Sequence, residues 1–531
     1  MLWTPPIELS AREEKICARL TKQRRFFPFL RRVRHRLFTP AFQAELAAMY
    51  SDAPRGTGPH PPAFLATLVL LQAYTQCSDF DAVSNALHDT RWQMVLDCLG
   101  TEDAPVGETT LVDFRARLVR TGVVAALLRR TVELAKETRG FGYKQVSALR
   151  IAIDSVPLDG AGKVEDTINL LGRALRVLLH AVAAFVALAP ADVAAQAQLP
   201  VLVAPSIKAG LDLDWHAPDA RHTALAILLA HAERLAAWLR DHVAAGVSTR
   251  RIEAARAQVA HVVAQDTEAD GAGGRQITEG VARDRQISLS DPEMRHGRKS
   301  KTERIDGYKQ YLATDLDQDL VLAAAVLPAN VPEAHGADKL APVLATHGRV
   351  QQLAIDTAFL ASTLTATVRA QPDGDVVCRP LRPARRGVYA KTDFAIDLAA
   401  GTVRCPAAKL AVIHGTAARF ADGDCAACPQ RTKCQAPDAH HGRTIAVHRD
   451  EAFFQAARAA QATPAGRARL RERVAVEHKV GHHRNRQGRF ARYRGVAKND
   501  FDAQRVAAVN NLLVIDRRVR AAGAEVLAVA S

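Results

Sequence analysis

Ala148-Leu149-Arg150-Ile151-Ala152-Ile153-Asp154 is apolar apart from one arginine, rich in β-branched residues, and stops on a carboxylate. A buried strand reads this way. Far downstream, Gln352-Leu353-Ala354-Ile355-Asp356 repeats the pattern and again ends on an aspartate. Between the two, Gly307 to Thr314 and Leu320 to Val326 are strand-like runs separated by the acidic turn Asp315 to Asp319, which predicts a hairpin. Pro328-Ala329-Asn330-Val331-Pro332-Glu333 then breaks the chain and starts a helix reaching Thr346. The order is strand-Asp, hairpin, helix, strand-Asp, an α/β unit with two carboxylates at strand ends.

A third acid stands out near the C-terminus. Arg471-Glu472-Arg473-Val474-Ala475-Val476-Glu477-His478-Lys479, continuing to Arg484, reads as a basic helical stretch around Glu477. At about 100° per residue, Arg473, Glu477 and Arg484 share one narrow helix face. An acid between two cations on one face can hold a divalent metal beside a polyanion, or simply form helix-face ion pairs. Asp159 and Asp166 compete for the first acidic position and Glu472 for the third; Glu472 lies off the Arg473/Arg484 face, which favours Glu477.

The surrounding chain is organised in blocks. Residues 1–140 read as helical, with apolar three-and-four spacing over Pro62 to Gln76 and Ala82 to Leu99, and a helix start at Glu108 leading to Arg115, Arg117 and Arg120. Residues 141–165 hold the first strand, 166–290 a mainly helical insertion, and 291–375 the hairpin and second strand. Residues 376–448 are irregular and cysteine-bearing, and 449–531 are helices carrying Glu477.

The 531 residues carry a formal net charge of +15, and the pI is about 9.7. Such an excess fits a phosphate-rich partner, with a membrane surface or ribosomal RNA as further fits. The charge is clustered: residues 1–40 have ten Lys/Arg against three acids, and residues 467–498 have eleven against two, as a binding surface would. The most apolar stretch, Val177 to Ala195, is interrupted by His180, Pro190 and Asp192, so no membrane span is expected. The N-terminus lacks the pattern of a secretory signal, which places the chain in the cytoplasm. There, eight cysteines are not expected to form structural disulfides. Cys405, Cys425, Cys428 and Cys434, with Cys425-x2-Cys428 as the close pair, have the composition of a structural Zn²⁺ site, His440 and His441 being substitute ligands and ordinary reduced thiols the alternative. Cys17, Cys77, Cys98 and Cys378 sit among apolar neighbours as core residues.

The acids, their order, and several short stretches resemble bacterial insertion-sequence transposases of the DDE type. These stretches are Asp154-Ser155, Gly160 to Thr167, Asp291 to Lys301, Asp306-Gly307-Tyr308-Lys309, Pro328-Ala329-Asn330 and Ala491 to Gly495. The branch resembled carries its last acid in a Tyr-x2-Arg-x3-Glu-x6-Lys signature. That signature maps onto Leu470, Arg473, Glu477 and Arg484, with leucine for tyrosine and arginine for lysine. The resemblance implies an RNase H-like core, a mixed sheet flanked by helices, with a helical N-terminal domain that binds DNA. It also implies Asp154, Asp356 and Glu477 as catalytic ligands of two Mg²⁺ (or Mn²⁺) ions, which would activate water or a 3′-hydroxyl for attack on a phosphodiester. Double-stranded DNA, both element ends and target, would be the partner, held by a homo-oligomer. Arg298, Lys299, Lys301 and Lys309 about the hairpin, and Arg473, Arg484, Arg492 and Arg494 about the acidic helix, are the candidate DNA contacts. Tyr493 can stack on a base or pack internally. A non-catalytic DNA-binding descendant and an RNase H-like nuclease without strand joining are the alternative readings.

Overall fold

The computed structural model describes residues 2–20, 24–50, 59–142, 148–242, 249–299, 302–380, 387–436 and 438–522. Its central sheet is built from β1 (Ala148–Asp159), β2 (Arg295–Arg298), β3 (Arg304–Asp315), β4 (Val321–Pro328), β5 (Arg349–Ile355) and β6 (Asp375–Cys378). The order across the sheet is β4-β3-β1-β5-β6, with β2 beside the first residues of β3. The hairpin β3/β4 is antiparallel and β3 is antiparallel to β1, whereas β5 and β6 run parallel to β1 and β5. A parallel return needs a crossover, and the helix Glu333–His347 supplies it between β4 and β5.

Most of β3 and β4 is buried on both faces, which explains why they read as continuous apolar runs. As the edge strand, β4 would leave backbone groups unpaired. The C-terminal helix Val496–Ala521 covers that edge with side-chain amides and carboxylates. Asn511 accepts from the Val321 amide (2.8 Å) and donates to the Val321 carbonyl (2.8 Å), while Asp500 accepts from the Val326 amide (2.8 Å). The same helix packs on helices of the N-terminal region, so Leu68, Leu70, Val132, Leu322, Val506 and Leu512 belong to one continuous apolar core.

Two other regions fold around cores of their own. The helical insertion, chiefly Thr167–Phe185, Ala220–His242 and Arg250–Asp266, encloses a separate apolar cluster. Asp166 caps its first helix by accepting from the Asn169 amide at 2.9 Å. Contrary to the sequence expectation, one helix of this region, Thr167–Phe185, is long and apolar enough to cross a membrane; 61% of its apolar window is buried inside the insertion, as in a core helix. The cysteine-bearing region forms a five-stranded antiparallel sheet around Phe394, Val403, Ala411, Ala418, Phe420, Ile445 and Val447.

Two expected helices are broken. Ala82 to Leu99 divides into Asp79–His88 and Thr90–Leu96 because Asp89 leaves the helical conformation and caps the second helix. The stretch around Glu477 divides at Arg473 into Pro464–Glu472 and Val474–Gln487.

Three of the short stretches singled out in the sequence meet at Asp291. The Tyr308 hydroxyl donates to Asp291 Oδ1 (2.5 Å), as does the Gly495 amide (3.0 Å). Gly162 lies where a Cβ would approach Ser288, Asp291 and Met294 to within 2.8 Å, so the crossing requires glycine. Burial holds the Asp291 carboxyl above the usual carboxylate range, partly offset by the tyrosine hydroxyl.

Candidate active site

Ala152 of β1 lies opposite Ala354 of β5 in the parallel register. Side chains alternate along a strand, so Asp154 and Asp356 follow these alanines on the same face, on neighbouring strands. Asp356 lies just past β5 and begins a short 3-10 turn without capping it by its side chain. The alanines let a helix approach closely: Val476 packs on Ala152, Ala354 and Val377, with Leu470 and Val480 alongside. Burying Val476 is worth about 1.5–3 kcal/mol, and it seats its neighbour Glu477 above the strand ends.

The break at Arg473 completes the arrangement. Its guanidinium stands 3.1 Å from Asp356, 3.5 Å from Glu477 and 4.0 Å from Asp154. One cation therefore reaches all three acids, each from a different element. The Arg473 side chain is 14% exposed, and its Nε is buried without a hydrogen-bond partner. Asp154 is the innermost acid. Burial pushes its carboxyl up; the Ser155 amide, Arg473 and Lys299 pull the other way, and Asp356 adds to the rise. Asp356 and Glu477 are open to solvent, as groups facing a large substrate must be.

The competing acids are engaged elsewhere. Glu472 accepts from Arg150 and Gln352, Asp159 pairs with Arg489, and Asp166 caps its helix and pairs with Lys208. The Arg150–Glu472 clamp, which ties the broken helix to β1, was not anticipated. Its only sequence signal is a charged residue inside an otherwise apolar strand.

The candidate DNA contacts divide into outward-facing and internal groups. Arg298, Lys299, Arg484 and Arg494 are exposed. Lys309 is not: it is buried, pairs with Glu333 at 3.0 Å and donates to the Val331 carbonyl, so its charge is used inside the protein. Arg492 donates to the Cys77 carbonyl and fastens the N-terminal region. Tyr493 packs internally, bounded by Arg115, Arg492, Arg505 and Phe501. Lys301 lies outside the described residues.

Cys405, Cys425, Cys428 and Cys434 line one small cavity together with Lys409, Asp424 and Arg443. The Lys409 amide donates to Cys405 Sγ (3.3 Å) and the Arg443 amide to Cys425 Sγ (3.4 Å). Burial raises the Cys434 thiol. Among the described residues, however, no three His, Cys, Asp or Glu side chains form a group able to hold a metal ion. The four cysteines are free thiols. The three carboxylates, likewise, meet on a guanidinium rather than on one another. His440 and His441 are both exposed.

Residues 410–515 match the family described as Transposase DDE domain, and residues 17–117 match the family described as Transposase domain (DUF772). No curated protein matches the chain. A solved structure, the cryo-EM structure of piggyBac transposase synaptic complex with hairpin DNA, aligns with 97% of this chain and 79% of that one at 9% identity. Its TM-score of 0.29 is too low to bear on the fold. The N-terminal helices thus match one transposase domain and the segment around Glu477 matches a transposase DDE domain, each over less than half of the chain, a likeness that supports a bacterial insertion-sequence DDE transposase.

Proposed function

We propose that this protein cleaves the ends of a DNA element and joins the freed 3′-hydroxyl to target DNA, with Asp154, Asp356 and Glu477 as the catalytic carboxylates. The observation that carries the reading is the single guanidinium of Arg473 reaching all three acids. The strand order β4-β3-β1-β5-β6, with β3 antiparallel to β1 and the others returning parallel, supports an RNase H-like core. Leu470, at the tyrosine position of the family signature, packs against the apolar cluster under Glu477, so an aliphatic side chain fills that place.

Three carboxylates around one positive charge are the all-oxygen donor set that Mg²⁺ or Mn²⁺ takes. Asp154, Asp356 and Glu477 would hold such ions once Arg473 turns aside. Divalent ions bound there activate a water or 3′-hydroxyl and stabilise the leaving oxygen of an in-line displacement. The chain's own residues do the rest. Asp154, held by its strand and the Ser155 amide, fixes the reference point of the site. Val476 and the Arg150–Glu472 clamp fix the helix that presents Glu477. Lys299 and Arg484 are free to contact phosphate, which positions the duplex without reading its sequence. Two element ends held together require at least two copies of the chain, so the active form is a homo-oligomer on DNA, acting in the cytoplasm at the nucleoid.

The test is Mg²⁺- or Mn²⁺-dependent cleavage and joining on DNA carrying the sequences that flank the gene, with Asp154→Ala and Glu477→Ala beside the wild type. End-specific nicking and joining, lost in both folded variants, is the expected result. Specific binding without cleavage would replace the reading with a non-catalytic binder, and cleavage that ignores the ends and never joins would replace it with a nuclease.

A further inference from the structure

On the helix Val474–Gln487, Lys479, His482 and Arg486 lie within about 60° of one another on the face opposite Glu477. They do not face the carboxylates. They line a cleft between the N-terminal helices and the C-terminal helix, together with Arg25, Arg517 and Arg520. Among the described residues, Asp516 is the only carboxylate in that lining, and it is committed to Arg520 at 2.7 Å. Asp319, outside the lining, pairs with both Lys479 and Arg517 at 3.1 Å. The lining thus carries a marked positive excess, and Arg25 and His482 have no acidic partner among the described residues.

The floor of the cleft is built to donate. Asn510, only 6% exposed, accepts from Arg486 Nε through Oδ1 at 3.1 Å. Its Nδ2 is buried with no partner. Arg486 is itself held over the Tyr74 ring (5.3 Å) and donates to the Tyr74 carbonyl (3.1 Å), so its guanidinium cannot swing out to solvent. An unspent buried donor beside a fixed guanidinium asks for an acceptor, and a phosphate oxygen supplies one with matching charge.

We propose that this cleft is a second DNA-binding track, in which a phosphodiester backbone passes behind the catalytic helix and one phosphate is received by Asn510 Nδ2 and the Arg25/Arg520 rim. The proposal rests on the transposase reading for the identity of the polyanion, and it assigns DNA a site that involves none of the three catalytic acids. It also makes one helix serve two roles, carboxylate on one face and phosphate clamp on the other.

Binding of the full chain to a labelled duplex, measured by fluorescence anisotropy in EDTA across a salt series, tests it without any catalytic step. Arg25→Ala combined with Arg520→Ala should lower the slope of log affinity against log salt by about 1.8, the loss of two phosphate contacts. Asn510→Asp retains the acceptor for Arg486 but turns the unspent donor into an anion; it should weaken DNA binding about tenfold or more with no loss of thermal stability. Wild-type slope and affinity in both variants would overturn the cleft while leaving the proposed function intact. Failure of the wild type to bind any duplex would overturn both.

Discussion

The sheet that carries the acids and the small sheet that carries the cysteines are both assembled from residues far apart in sequence, yet they rest on very different supports. The first lies in a continuous core shared by the N-terminal helices, the hairpin and the C-terminal helix. The second surrounds seven buried apolar residues. A core that small has little burial energy to set against chain entropy. The difference teaches where geometry can be rigid: the acids are positioned by an alanine-lined sheet face and a packed helix, the thiols by a thin meander.

Predictions can sharpen or break this contrast. Truncating Leu512 to alanine, in the helix that binds sheet and N-terminal region together, should cost about 2–5 kcal/mol and lower the main unfolding transition in calorimetry. A loss confined to the C-terminal helix would refute the single shared core. Phe420→Ala should cost about 3–5 kcal/mol locally. Hydrogen exchange would show protection lost over residues 395–447 while the central sheet keeps its own. If the sheet loosened too, the two regions would not be independent.

Removing Arg473 should have a smaller and pH-dependent effect. Arg473→Ala leaves three carboxylates without their shared cation, and it removes the charge that holds the buried Asp154 carboxyl down, so that carboxyl rises further in the folded state. A raised acid costs stability above its unfolded pKa and costs nothing once protonated in both states. Melting of the variant should therefore fall short of wild type by about 1–2 kcal/mol near pH 7 and approach it as pH drops below about 4. A pH-independent deficit would mean that Arg473 acts by packing. The smallest effect is expected for Asp154→Asn. Burial already holds this carboxyl up, so its ionisation costs stability as pH rises through its folded pKa. Neutralising it should stabilise the fold by about 0.5–1 kcal/mol near pH 7, whereas an unchanged melting point across pH 4–8 would show that Arg473 and Lys299 fully offset the burial.

Much of the core was legible because its strands are buried on both faces and therefore read as apolar runs with abrupt ends. Asp154 and Asp356 were singled out as candidates by that signal, and Glu477 by its place in a basic helix. Asn511 and Asp500 were not legible as edge covers, because a polar residue in a helix does not announce which strand it will meet. Nor could the basic stretches be sorted: Lys309 and Arg492 carry the same charge as Lys299 and Arg484, but burial and partner, not residue type, turn the first two inward.

By itself, the sequence determined the strands of the central sheet, the two aspartates at their ends, and the cationic character of the C-terminal segment, but not the five-stranded sheet of the cysteine-bearing region, which reads as irregular. These depend on local periodicity and composition, which neighbouring residues encode. Only the tertiary structure decided that one arginine meets all three acids, that the opposite face of the same helix opens into a donor-lined cleft, and that the four cysteines share a cavity. Those outcomes depend on distances between elements brought together from far along the chain, and no local pattern records them.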